Sequence, residues 1–376
     1  MTQTALDDLA RVMKKDAFDV FAVNLANVAN GKGSVYLAEM KVAAKLIDWK
    51  AKYHLHGQGA SKGSVVEGLG LALHMWGGTA NNSNCRLVIR PDGSVESSCG
   101  TQDLGTGTRT VCAMVLAETL GLDLDDVTVN IGSSKYPTSG ASGGSTTVGG
   151  VSESHRRAAQ DALQILFAKV AGQLSAKPEE LVAAGGTIHV AGDKSRMISW
   201  KAACGRLGLQ PIEVTASYKR GAASPLSSSG VCGVQMAEVA VDKETGVVKI
   251  KKFVAVQDQG LVINPKTCES QIHGAIIMGI AAALYERRIS DPTTGSFVNA
   301  ELSDYKLARL GDVGEIVVEL YEPESERQRG VIGNGEPPAI SPVAAVSNAI
   351  CNALGVRVPV APYTPQRVLE ALQGRA

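Results

Sequence analysis

Val331-Ile-Gly-Asn-Gly-Glu-Pro-Pro-Ala-Ile-Ser-Pro342 places a single carboxylate, Glu336, between Gly335 and a pair of prolines. Gly333 and Gly335 permit backbone conformations and close approaches that side chains forbid. Pro337 and Pro338 fix φ, and each biases the residue before it, Glu336 included, toward extended geometry. The segment that follows, residues 339–354, is small, apolar and helical in spacing, so it calls for burial. A carboxylate on a rigid loop leading into a buried helix suits a general base, because desolvation raises its pKa toward working pH. A tight turn carrying a solvated acid has the same composition. Both readings stand at this point.

Working outward, two glycine-rich loops share one design. The first, Gly100-Thr-Gln-Asp-Leu-Gly-Thr-Gly107, follows a hairpin over 86–97 with Pro91-Asp-Gly93 at its turn, and enters a helix over 108–120 closed by Gly121. The second, Tyr136-Pro-Thr-Ser-Gly-Ala-Ser-Gly-Gly-Ser-Thr-Thr-Val-Gly-Gly150, lies between a strand over 127–131 and a helix carrying His155, Arg156 and Arg157. A helix N-terminus offers free N–H groups and the positive end of the dipole to an anion. Neither loop ends in Gly-Lys-Ser/Thr, so neither is a P-loop. Composition alone fits a flexible linker. The repeated strand–loop–helix position fits a cradle that holds one ligand at two points.

Further on, the alternation over 234–256 predicts a hairpin with one buried face. A helix from Thr267, after Asn264-Pro265, carries Gln271 and then a run of small residues at Gly274, Ala275 and 279–283. Gln271 reads either as a ligand contact or as an exposed amide near the helix start. Residues 36–53 read as one early helix, and 174–226 as scaffold.

Composition bounds the function. With 44% hydrophobic and 20% charged residues, the 376-residue chain is an ordinary globular protein long enough for more than one domain. Lys+Arg and Asp+Glu both number 37, which argues against a nucleic-acid or anionic-membrane partner. The seven cysteines are scattered without a C-x-x-C pair, so no disulfide framework or protein-ligated metal is expected, and the thiols point to a cytoplasmic location. His54-Leu-His56 has no third metal ligand close in sequence. No apolar run approaches the roughly 20 residues of a membrane span.

Taken in order, the Asp103-to-Gly107 loop, Ser142-Gly-Gly-Ser-Thr-Thr147, the hairpin from Gly233, Asn264-Pro265 with Gln271-Ile-His-Gly-Ala275, and Gly335-Glu-Pro-Pro338 resemble the xanthine dehydrogenase and aldehyde oxidase family of molybdenum hydroxylases. The likeness is greatest to the molybdopterin-binding large subunits of bacterial members. The resemblance implies an α+β fold of mixed β-sheets packed by helices in two similar molybdopterin-binding subdomains. It implies hydroxylation of an aldehyde or N-heterocycle with water as the oxygen source. Glu336 matches the family's catalytic glutamate, a general base. Leu104, Gly105, Thr106, Gly143, Gly144, Ser145, Thr146, Thr147, Gln271 and Gly335 match cofactor-contacting positions. The cofactor implied is molybdenum-molybdopterin cytosine dinucleotide, held through the pterin and not by protein ligands. Iron–sulfur (2Fe-2S) clusters and FAD are expected on partner subunits.

Two departures accompany the match. Thr106 stands where many members carry glutamine, as in some aldehyde-oxidising bacterial forms. The family's upstream Gly-Gly-Phe-Gly loop is absent, so the chain resembles the C-terminal half of a molybdenum subunit, which either pairs with a separate chain carrying the upstream half or is a truncated gene product. The expected partition is N-terminal helices over 1–60, the first part of the cofactor-binding domain over 61–210, and a second part with Glu336 over 211–376. Two rival functions remain: a non-catalytic half that needs a partner to complete any site, and a generic nucleotide- or phosphate-binding protein.

Overall fold

The computed structural model describes residues 2–27, 31–222, 224, 226 and 228–374. Four helices open the chain: α1 (Thr2–Met13), α2 (Ala17–Asn24), α3 (Gly33–Leu46) and α4 (Trp49–Lys52). The single helix expected over 36–53 is thus two, parted where Asp48 takes a left-handed backbone at φ 59°. Strands β1 (Ser61–Lys62), β2 (Val65–Trp76), β3 (Ser83–Ile89) and β4 (Val95–Cys99) follow, then α5 (Thr108–Leu120), β5 (Val127–Ile131) and α6 (Thr147–Val170). The helix α5 ends at Gly121 in the left-handed conformation that glycine tolerates best. Next come β6 (Leu181–Ala184), β7 (Thr187–Val190), β8 (Asp193–Ser199), α7 (Trp200–Cys204) and β9 (Ile212–Tyr218). The chain closes with β10 (Val231–Asp242), β11 (Val248–Gln257), α8 (Pro265–Leu284), β12 (Glu315–Leu320), α9 (Glu324–Arg327), α10 (Pro342–Leu354) and α11 (Pro365–Leu372).

The fold is mixed α/β, with three sheets packed by helices. Strands β1-β2-β10-β11-β12 form the first sheet, β5-β4-β3-β9 the second and β6-β7-β8 the third. The first two are mixed, since β12 runs parallel to β11 and β5 parallel to β4. Each parallel pair needs a long crossover, which α8 and α5 supply. The 61–210 and 211–376 segments exchange strands: β2 pairs along its length with β10, and β9 pairs with β3.

The first sheet is covered on both faces. Leu69, Leu71, Met236 and Val254 pack against Phe21, Met40 and Trp49 of α2–α4. Phe253, Ala237 and Val239 pack against α8, α10 and α11 on the other side. The hairpin therefore does not have the single buried face expected of it, and β10 is buried continuously from Val231 to Val239. Its polar residues misled the alternation because they are satisfied inside. Glu238 pairs with Lys52 at 2.8 Å and Lys251 at 3.1 Å, and Gln235 donates to Pro338 O at 2.7 Å.

Close packing positions α10, and α10 positions the turn before it. A Cβ on Gly68 would lie 2.4 Å from Ala349 O, and one on Gly70 would lie 2.2 Å from Ala345 O. Glycines on the strand and alanines on the helix thus let backbone meet backbone. Two buried asparagines of α10 serve the β2 edge: Asn352 Oδ1 accepts from Leu69 N at 3.0 Å, and Asn348 Nδ2 donates to Leu71 O at 2.8 Å.

Candidate functional site

Three segments meet around a cavity of about 400 Å³: the loop before α5, the loop before α6, and residues 331–336. The third carries Glu336, at φ −108° and ψ −27°. This is helical-region backbone, against the extended geometry expected before proline. Local bonding overrides the proline bias: Glu336 O accepts from Ala339 N at 3.0 Å in a short 3-10 turn over Pro337–Ala339. Glu336 N donates to Ser145 Oγ at 3.0 Å, its Oε1 accepts from Gly144 N at 2.8 Å, and the Ser145 hydroxyl donates to its Oε2. Glu336 is also exposed, so the desolvated carboxylate expected from the sequence is not present in this chain.

The join demands unusual backbone. Ser145 sits at φ 58°, a left-handed conformation costing about 1 kcal/mol for a residue with a Cβ. A Cβ on Gly333 would lie 1.9 Å from Ser145 O, so only glycine fits there. Trp76 Nε1 donates to Gly144 O at 2.9 Å, and Asn81 Nδ2 donates to Thr146 Oγ1 at 2.7 Å. The upstream end of the turn is tied by ion pairs: Asp258, fully buried, lies 3.0 Å from Arg329 and 2.5 Å from Lys32.

The first loop spends its donors on itself. Asp103 accepts from Gly105 N at 3.0 Å, Gly107 N at 3.2 Å and Arg109 N at 3.2 Å. Partial burial raises its pKa, but these backbone donors outweigh burial and hold it below the usual 3.8. The anion at the N-terminus of α5 is therefore the chain's own. The second loop differs: among the described residues, the N–H groups of Ser145, Thr146 and Thr147 have no acceptor. Gln102 ties the loops together, accepting from Ser142 N at 2.9 Å and, through its carbonyl, from Ser142 Oγ at 3.1 Å.

Gln271 serves the turn. Its Nε2 donates to Gly335 O at 2.5 Å, so it is not the exposed amide of the alternative reading, and the residue also lines the cavity. The small residues of α8 accommodate the neighbouring helix: a Cβ on Gly279 would lie 2.3 Å from Pro342 Cβ. Leu104, Gly105, Thr106, Gly143, Ser145, Thr147, Gly335 and Glu336 reach the cavity wall as well. Gly144 and Thr146 instead brace the second loop, Thr146 by donating to Gly143 O at 2.8 Å. Sequence reading missed Gln259, Asn334 and Cys268, which line the cavity, where Asn334 Nδ2 donates to Gln259 Oε1 at 3.0 Å. No local signal marks them; Asp258-Gln-Gly260 reads as a turn and nothing more.

The two early histidines part company. Both ring nitrogens of His54 sit at 2.9 Å from backbone carbonyls. His56 lies beside Asp7 and Cys351, ligand types that only the fold brings together. Arg357 donates to Asp7 at 2.7 Å and supplies the positive charge there, while burial pushes the Cys351 thiol up to about 12.

Comparison with known proteins places the fold and the cavity in a family. Residues 42–314 match the molybdopterin cofactor-binding domain. The chain belongs to that family, that of the molybdenum-binding subunits of aldehyde oxidoreductases and xanthine dehydrogenases. It is 31% identical over 340 residues to the aldehyde oxidoreductase molybdenum-binding subunit PaoC of Escherichia coli O157:H7, covering 89% of this chain and 44% of that one. It is 28% identical to the nicotine 6-hydroxylase large subunit of Paenarthrobacter nicotinovorans, covering 99% of this chain and 49% of the relative. Among solved structures it is similar to quinoline 2-oxidoreductase from Pseudomonas putida 86, with TM-score 0.88, 25% identity, all of this chain covered and 52% of the other. The chain spans about half the length of the relatives it matches. No helix among the described residues is long and apolar enough to cross a membrane.

Proposed function

We propose that the chain is the C-terminal half of the molybdenum-cofactor-binding subunit of a hydroxylase that acts on an aldehyde or N-heterocycle, with water as the oxygen source and Glu336 as general base. The observation that carries this reading is the fixing of the Glu336 carboxylate at the cavity, by Gly144 and Ser145 on one side and the Gln271-anchored turn on the other. The surroundings fit a large, anionic, pterin-type group. A Cβ added to Gly105 or Gly143 would meet nothing within 4 Å, so both glycines face open space. Glu336 is the one charged side chain on the cavity wall among the described residues. Neutral N–H and hydroxyl groups bind phosphate oxygens without lysine or arginine.

The N–H groups of Ser145 and Thr147 would hold phosphate oxygens of the cofactor, and Thr106 and Gln271 stand on the same cavity wall. When bound, the cofactor supplies the two-electron oxidising power of the reaction. Glu336 accepts the proton that the oxygen nucleophile loses, and its Gly144 and Ser145 bonds aim the accepting oxygen. Iron–sulfur and flavin partners carry the electrons onward. An upstream half completes the wall over Glu336, consistent with its exposure here and with a chain about half as long as its relatives. The cytosine dinucleotide form and a cytoplasmic setting are part of the same proposal.

The test is molybdenum and released CMP per chain, after co-expression with the neighbouring genes and the cofactor-maturation machinery. Near one of each is expected. Neither, with partners bound, would favour a scaffold half, the reading that the exposed Glu336 otherwise supports.

A further inference from the structure

Beneath the Glu336 turn lies a buried polar chain whose hydrogens can be counted. Gln257 Nε2 donates to Cys232 O at 2.7 Å and Asp258 O at 2.8 Å, so both of its N–H groups are spent and Oε1 faces His74 Nε2 at 2.9 Å. His74 therefore carries a hydrogen on Nε2. At the other end, Gln235 Nε2 donates to Pro338 O at 2.7 Å, which turns its Oε1 to Ser341 Oγ at 2.8 Å. Turning either amide over would set carbonyl against carbonyl. Between these fixed ends, Ser341 Oγ lies 2.8 Å from His74 Nδ1. Ser341 has one hydrogen, and with neutral His74 two acceptors face it: His74 Nδ1 and Gln235 Oε1.

The site is built for this contact. His74, Gln235, Gln257 and Ser341 are 4%, 0%, 1% and 1% exposed. A Cβ on Gly233 would lie 2.5 Å from His74 Cε1 and 2.7 Å from Gln257 Oε1, so glycine there makes room for the ring and its partner. No ionised group is among the ring's hydrogen-bond partners, and burial lowers its pKa from 6.5 to about 4. The neutral, hydrogen-short state is the resting one near pH 7. Pro338 is two residues from Glu336, and its carbonyl is the point at which the first sheet grips the turn.

Resting on Glu336 as the base, we infer that His74, Ser341 and Gln235 are positioning residues for Glu336, acting through one hydroxyl hydrogen that two acceptors contest. With the hydrogen on Gln235, that amide is held at both ends and clamps Pro338. With the hydrogen on His74, Gln235 Oε1 is unpaired and the clamp loosens. The turn thus has two bonded states that differ in how firmly the carboxylate is aimed.

The test uses nitrogen-15 NMR of the histidine ring and amide exchange, both on the unaltered chain first. His74 is expected neutral at pH 7 with its hydrogen on Nε2; a hydrogen on Nδ1 alone would overturn the count without any variant having to fold. Ser341→Ala is expected to speed exchange of the Ala339 amide, which bonds Glu336 O, about tenfold while core amides of β10 and β11 hold. Ser341→Thr, which keeps the hydroxyl, should restore it. An Ala339 amide indifferent to Ser341→Ala would overturn the relay. Glu336→Gln separates the two claims: turnover retained in the assembled complex would sink the base assignment, while an unchanged His74 signature in that variant would leave the relay standing.

Discussion

The two glycine-rich loops look interchangeable in sequence, yet they end in opposite electrostatic states. Both leave a strand of the second sheet and enter a helix N-terminus. The loop before α5 folds Asp103 back onto the N–H groups of Gly105, Gly107 and Arg109, so its helix end is already neutralised. The loop before α6 has no internal acid, turns Gly144 and Ser145 on Glu336 from a distant segment, and leaves the following amides open. One acidic residue separates a closed helix end from one whose amides stay open. Glycine content therefore announces where a ligand can come close, while the placement of carboxylates decides where its charge is received.

The largest break in this contrast should come from Gly333→Ala. Its Cβ would meet Ser145 O at 1.9 Å, so the turn and the second loop must separate. We expect a loss of about 3 kcal/mol in chemical denaturation. Wild-type stability would mean the join is looser than described. Ser145→Ala should cost less, about 1–2 kcal/mol, by removing the hydroxyl that both accepts from Glu336 N and donates to its carboxylate. Ser145→Gly, which relieves the left-handed strain, should lose less than the alanine variant in the same measurement.

Asp103→Ala should cost about 1 kcal/mol, the usual worth of a capping group. It should also open the first loop, so that calorimetry finds a second, weak pyrophosphate site absent from the wild type. Because the folded-state pKa of Asp103 is depressed, its stabilising effect is present above its unfolded value near 3.8 and is lost as pH falls through the lower folded value. The stability gap between wild type and variant should therefore close in strong acid. Added salt should narrow it at neutral pH, since the carboxylate is largely solvent-facing. A gap that widened in acid would contradict the capping role.

Much of the fold was legible because it rests on local signals. The helix over 108–120 with its Gly121 stop, the strands over 65–75, 127–131 and 212–218, and the hairpin were readable from spacing and turn residues. What escaped depended on partners far away in sequence. Edge strand β12, half-buried and paired only in parallel with β11, lacks a strong pattern of its own. Strand β8 is mostly exposed and polar. The one-faced reading of the hairpin failed because the buried Gln235 and Glu238 find partners from helices and loops distant in the chain. At the site, most of the residues named from the motif order lie together on the cavity wall. The backbone of Glu336, the use of Gly105 N by Asp103 and the bond from Gln271 to Gly335 O needed three dimensions.

The central claim is that Glu336 is the base at a molybdenum site, and Glu336→Gln tests it most directly. Glutamine keeps the shape, can still accept from Gly144 N with its one oxygen and can turn its amide N–H to the Ser145 hydroxyl, but it cannot take up a proton at working pH. In the assembled complex the account predicts unchanged molybdenum per chain with turnover reduced by at least about 10²-fold on aldehyde or N-heterocycle substrates. Turnover preserved at wild-type molybdenum content would contradict it.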